Sequence, residues 1–303
     1  MTKRFTGLGV ALITPFNAQG AIDFPGLERM VHHVSGSKAH FLVVLGSTGE
    51  AQLLAEDEKR RVLDFVQEVN AGRLPMVAGF DVSGGTEAAV QRLRQLDTTG
   101  LDGLLISPPP YIKPGQAGMT EMFEALSEAS PLPIILYNVP SRTGVHLLPE
   151  TIVEIANRCD QVVALKQAHD DLSEFRAIRA GVPETFSMLS GDDVNAMPMI
   201  ALGADGLVSV IGNAYPDAWA EAIDLATFGS VKEAEALLAD QRELLEALFE
   251  EGNPTGIKAI CDVLGLCGAD PRRPLMPATK AYRDRLYSAI ASVGAGSSVR
   301  TEL

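Results

Sequence analysis

The chain has 303 residues, 46% hydrophobic and 21% charged, enough to bury one large α/β core or two ordinary ones. Its formal net charge of −14 repels phosphate-bearing partners and argues against nucleic-acid or anionic-membrane ligands.

Near the start, Lys3 and Arg4 precede the apolar run "LGVALI" (8–13), but Pro15 follows and no small-residue cleavage site appears. No stretch reaches the ~18 uncharged apolar residues of a membrane span. Further apolar runs come at intervals: "FLVVL" (41–45), "PMVAG" (75–79), "DGLLIS" (102–107), "PIILY" (133–137), "VVALK" (162–166), "TFSML" (185–189) and "DGLVSV" (205–210). Each is short and lacks polar alternation, which is how strands buried on both faces of a parallel sheet read. Between them lie amphipathic stretches such as 55–72, closed by Gly72, and 85–100, closed by Gly100.

Eight such strands alternating with helices predict a (β/α)8 TIM barrel over 1–228. A C-terminal helical extension is expected over 229–292, with helices at 230–250, 254–264 and about 277–292, then a flexible tail at 293–303. The segment 230–251 carries seven acidic residues against Lys232 and Arg242, and reads as a solvated helix face. A dinucleotide-binding sheet is disfavoured: Gly7 and Gly9 have no third glycine and do not follow the first strand.

In a barrel, polar residues at strand C-terminal ends form the active face. Lys166 closes the sixth apolar run, where burial would favour a neutral amine able to form a Schiff base. Snorkelling to solvent, or pairing with an acid such as Asp192, is the alternative. Tyr137 ends the neighbouring strand, about 4.8 Å away, within reach of a carbinolamine on Lys166; otherwise it caps the barrel. "GSTGE" (46–50) offers Ser47 and Thr48 in a turn suited to a carboxylate or phosphate, or simply an ordinary glycine turn. Arg142 could grip a carboxylate or form a surface ion pair. Tyr111 sits in a loop stiffened by Pro108, Pro109, Pro110 and Pro114. The five histidines form no HxH or HExxH pattern, so a cofactor-free imine is expected, with no metal. Cys159, Cys261 and Cys267 lack CxxC spacing and suit a reducing cytoplasm.

The series "GVALITPF", "LGSTGEA", "ILYNVPSRTG", "LSGDD", "GADGLVSVIGNAYP" and "FEEGNPTGIKA" resembles, nearly end to end, the pyruvate-dependent class I aldolase family of dihydrodipicolinate synthase and N-acetylneuraminate lyase. The resemblance implies that Lys166 forms the imine with pyruvate and Tyr137 donates and accepts protons. It makes Ser47 and Tyr111 relay partners, and Thr48 and Val208 pyruvate-holding positions. Arg142 then binds the second substrate's carboxylate. It further implies a homo-oligomer, a tetramer of two tight dimers or a dimer, with Tyr111 reaching the neighbouring site. The activity implied is condensation of pyruvate with L-aspartate 4-semialdehyde, in lysine and diaminopimelate biosynthesis. The alternatives are a lyase acting on N-acetylneuraminate or a keto-deoxy sugar acid, and a non-catalytic keto-acid-binding barrel. Departures from the synthase pattern are Ser47 for a threonine, Pro110 for a tyrosine, Gln167 in "LKQ", and "AHDD" (168–171) for a glycine-containing turn. Where lysine-inhibited synthases carry their allosteric site, this chain has Glu56, Ser83 and Pro110, with Glu87 retained. Weak or absent lysine inhibition is expected.

Overall fold

The structure, a computed structural model, describes residues 3–293; most of the expected tail, 294–303, lies outside them. Eight parallel strands close on themselves in chain order: β1 (Gly7–Ala11), β2 (Phe41–Val44), β3 (Met76–Phe80), β4 (Gly103–Ile106), β5 (Ile134–Asn138), β6 (Val162–Gln167), β7 (Ser187–Ser190) and β8 (Gly206–Ser209). Closure is made by β1 against β8, with Gly7 opposite Gly206 and Val10 opposite Ser209. The expected barrel is present, and each strand falls within two residues of its apolar run.

Successive side chains on a strand face opposite ways, so each strand supplies two cores. Inside the barrel lie Ala11, Val43, Val77, Leu105, Ile135, Tyr137, Ala164, Leu189 and Val208. Residues one step along, among them Leu136, Leu165, Met188 and Leu207, pack outward against the helical ring. Both faces are dry, which accounts for the unbroken apolar runs.

Two helix expectations are adjusted. The 56–70 helix matches, and Glu58 in its first turn accepts a hydrogen bond from the Ala55 N–H. The helix expected over 85–100 spans only Thr86–Arg94, because Asp97 captures the Thr99 N–H and hydroxyl in a turn that competes with helix. The long helix expected at 230–250 is broken into Val231–Leu237, a 3₁₀ turn at Ala239–Gln241, and Arg242–Ala247. The interruption buries Gln241, whose Oε1 accepts a 2.9 Å hydrogen bond from the indole N–H of buried Trp219. Helices Thr255–Val263 and Lys280–Ser292 complete the described chain.

Candidate active site

Tyr137 and Lys166 are register partners on β5 and β6, near the strands' C-terminal ends. Lys166 Nζ sits 4.2 Å from the centre of the Tyr137 ring. Both side chains are buried, at 5% and 8% exposure. Neither alternative for Lys166 holds: it does not reach bulk solvent, and among the described residues it makes no ion pair, with Asp192 or any other acid. The lysine stem has a fixed neighbour in Gly191, after β7. A Cβ on that glycine would stand 3.0 Å from Lys166 Cγ and 2.9 Å from the Ala168 Cβ.

The turn after β2 is shaped by close backbone contact. Leu45 has φ +58°, and its carbonyl presses on Gly79 of β3 so closely that a Cβ there would lie 2.1 Å from the oxygen. The chain then presents half-buried Ser47 and buried Thr48. Two residues on, Glu50 forms a fully buried ion pair with Lys258 of the 255–263 helix, which also donates to the Asp270 carbonyl and lies over the Phe16 ring. Burial pushes the Lys258 ammonium pKa down, and Glu50 opposes that shift. Arg272 adds a second tie, donating its N–H to Glu50 and its guanidinium to Glu58 and to the Gly20 and Leu53 carbonyls. That guanidinium holds the Glu58 carboxyl down at about 2.

Asn253 joins two of the candidate segments. Its Nδ2 donates to Thr48 Oγ1 at 2.9 Å, and its carbonyl accepts from Arg142 at 3.3 Å. Its own buried Oδ1 has no partner. Arg142 is otherwise exposed and forms no surface ion pair among the described residues. Val208 lies inside the barrel on β8, opposite Gly9. Tyr111 is not brought to the Lys166–Tyr137 pair within the chain: it is 92% exposed. Its φ of +76° is held by an N–H bond to the Thr143 carbonyl.

Two residues beside the site were not singled out from the sequence. Asp193, after β7, is fully buried and accepts from the Ser209 hydroxyl and the Val210 N–H of the β8 end. Burial raises its carboxyl to about 6, against the lowering effect of those donors. The "SGDD" motif contained it, but which aspartate turns inward is a tertiary matter. Asn253 was equally visible in "FEEGNPTGIKA", distant in sequence from everything it touches.

Gln167 follows Lys166 and so points away from the barrel interior. Fully buried, its Oε1 accepts from Asn138 Nδ2 at 3.0 Å. The "LKQ" departure therefore belongs to the outer layer. "AHDD" is a helix start: Asp171 caps the Leu172–Gly181 helix through the Ser173 and Glu174 N–H groups.

The sequence profile of the Dihydrodipicolinate synthetase family matches residues 4–293. A 4-hydroxy-tetrahydrodipicolinate synthase from Phocaeicola vulgatus is 39% identical over 274 residues, spanning 90% of this chain and 92% of that one. Among solved structures, a chloride-inhibited dihydrodipicolinate synthase from Acinetobacter baumannii complexed with pyruvate superposes with a TM-score of 0.91, at 33% identity over 96% of this chain and 99% of that one. A monomeric dihydrodipicolinate synthase variant gives 0.91 at 32% identity, over 96% and 97%.

Proposed function

We propose that this chain, which belongs to the dihydrodipicolinate synthetase family, condenses pyruvate with L-aspartate 4-semialdehyde to give 4-hydroxy-tetrahydrodipicolinate and water. The observation that carries the reading is the buried, unpaired Lys166 lying against Tyr137.

The Lys166 amine attacks the keto carbon of pyruvate, and its nitrogen passes a proton to the alkoxide oxygen. Loss of that oxygen as water leaves an imine, a covalent cofactor-free intermediate. Tyr137 supplies and removes the protons, with Ser47 and Tyr111 as relays. Loss of a methyl proton converts the imine to an enamine, whose carbon bonds to the aldehyde carbon while the aldehyde oxygen takes up a proton. The amino group of the second substrate then adds to the imine carbon, expels Lys166 and closes the ring. Thr48, steadied by Asn253, and the main chain at Val208 hold the pyruvate carboxylate and keto group. Arg142 binds the carboxylate of the semialdehyde as a bidentate fork.

On this reading the barrel, 1–228, carries the chemistry. The extension, 229–292, braces the β2 turn through Lys258 and Arg272. Tyr111, presented outward on a stiff loop, serves the site of a second copy, so the active form is a homo-oligomer. Its three buried cysteines are unpaired, in keeping with action in the cytoplasm.

A panel of second substrates tests the reading. Turnover of aspartate semialdehyde with pyruvate, and none of N-acetylneuraminate or keto-deoxy sugar acids, is expected. Pyruvate release from a sugar acid without semialdehyde turnover would assign the chain to the lyases instead.

A further inference from the structure

The connections following β5 and β6 bring together three metal-ligating side chains. His146 lies between the 140–143 and 149–158 helices, His169 just beyond β6, and Glu174 in the first turn of the 172–181 helix. Their ligand atoms all lie within 4.8 Å of one another, and each side chain is between one-fifth and one-third exposed. Glu174 Oε2 stands 3.0 Å from His146 Nε2 and 3.5 Å from His169 Nε2. The rings are 4.5 Å apart and tilted by 59°.

At 3.0 Å a histidine nitrogen and a carboxylate oxygen would ordinarily share a hydrogen bond. Here both atoms are buried and neither makes one. Such orphaned buried atoms are explained when their lone pairs point to a common third partner. The separations agree with that partner being a metal. Zinc–nitrogen and zinc–oxygen bonds of about 2.0–2.2 Å in a tetrahedron place neighbouring ligand atoms about 3.3–3.5 Å apart. Two of the three edges already have nearly that length.

We propose that His146, His169 and Glu174 bind one divalent transition-metal ion of the zinc class, with the fourth position open to water. The ion clamps the loop after β5 to the loop after β6, the two strands that present Tyr137 and Lys166. It takes no part in imine chemistry. The 23- and 5-residue spacings match no zinc motif, so the cluster exists only through the barrel's topology.

The test is zinc titration of the chelator-stripped full chain by calorimetry, with the bound metal counted by mass spectrometry. Parallel titrations use His169→Asn and Glu174→Gln, with His32→Asn as a control, and circular dichroism confirms folding of each variant. One ion per chain is expected, bound at least ~10-fold more weakly by each site variant and unchanged by the control. Cobalt(II) added to the stripped protein should develop the visible absorption of a tetrahedral site in the parent and lose it in both variants. Zinc binding that is absent from the parent, or equal in parent and both folded variants, overturns the proposal. If one variant fails to fold, the other decides on the same criterion.

Discussion

Replacing Lys258 by methionine isolates the brace under the candidate site. Lys258 and Glu50 are both essentially inaccessible, and their ion pair links the 255–263 helix to the turn bearing Ser47 and Thr48. Methionine keeps the packing against Phe16 but strands the Glu50 carboxylate, leaving the Arg272 N–H as its hydrogen-bond donor. Breaking a buried pair in this way costs about 3–5 kcal/mol. At roughly 2.1 cal/mol/K per residue over 303 residues, each kcal/mol moves the melting midpoint by about 1.6 °C, so a drop of about 5–8 °C is expected. Removing both charges, as Glu50→Gln with Lys258→Met, no longer buries a lone charge and should restore at least half of the loss. Differential scanning fluorimetry reads both variants. The reasoning fails if the single variant melts within ~2 °C of the parent, or if the double variant melts no higher than the single.

Tyr137→Phe keeps the ring against Lys166 and removes only the hydroxyl. It should lower kcat by about 10²–10⁴ with melting unchanged, and a loss smaller than ~10-fold would remove the phenol from proton transfer. Asp193 has its carboxyl raised to about 6, so the folded chain holds that proton more tightly than the unfolded chain. Its contribution to stability is therefore present at low pH and fades as pH rises from about 4 to 6, by ~3 kcal/mol. Asp193→Asn should remove that dependence; denaturant titrations of both proteins at pH 4.5 and 7 would contradict the assignment if their difference stayed constant. Weak or no inhibition by lysine is expected, from the resemblance that sets Glu56, Ser83 and Pro110 at the positions of the inhibited synthases' allosteric site, and half-inhibition at sub-millimolar lysine would refute this.

The strands were legible because their two dry faces leave apolar runs that no solvated element would show. Lys166 and Tyr137 were legible for a related reason: each ends such a run, and the barrel's register then sets them side by side. The helices were read less well. Asp97 ended one early through a local hydrogen bond, and Gln241 broke another to serve the Trp219 indole, a partner 22 residues away. Asn253, Asp193 and the Glu50–Lys258 pair share that property: their partners are remote in the chain, so periodicity gave no sign of them. Gln167 was misleading in the other direction, because its neighbour Lys166 faces the barrel interior while it faces the helices.

Treatment of the protein with pyruvate and borohydride, followed by peptide mass spectrometry, examines the reactivity of the β6 amine without any second substrate. A reduced pyruvyl adduct of about 72 Da confined to Lys166, absent when either reagent is withheld, is the predicted result. An unmodified Lys166, or labelling spread over surface lysines instead, would contradict the account.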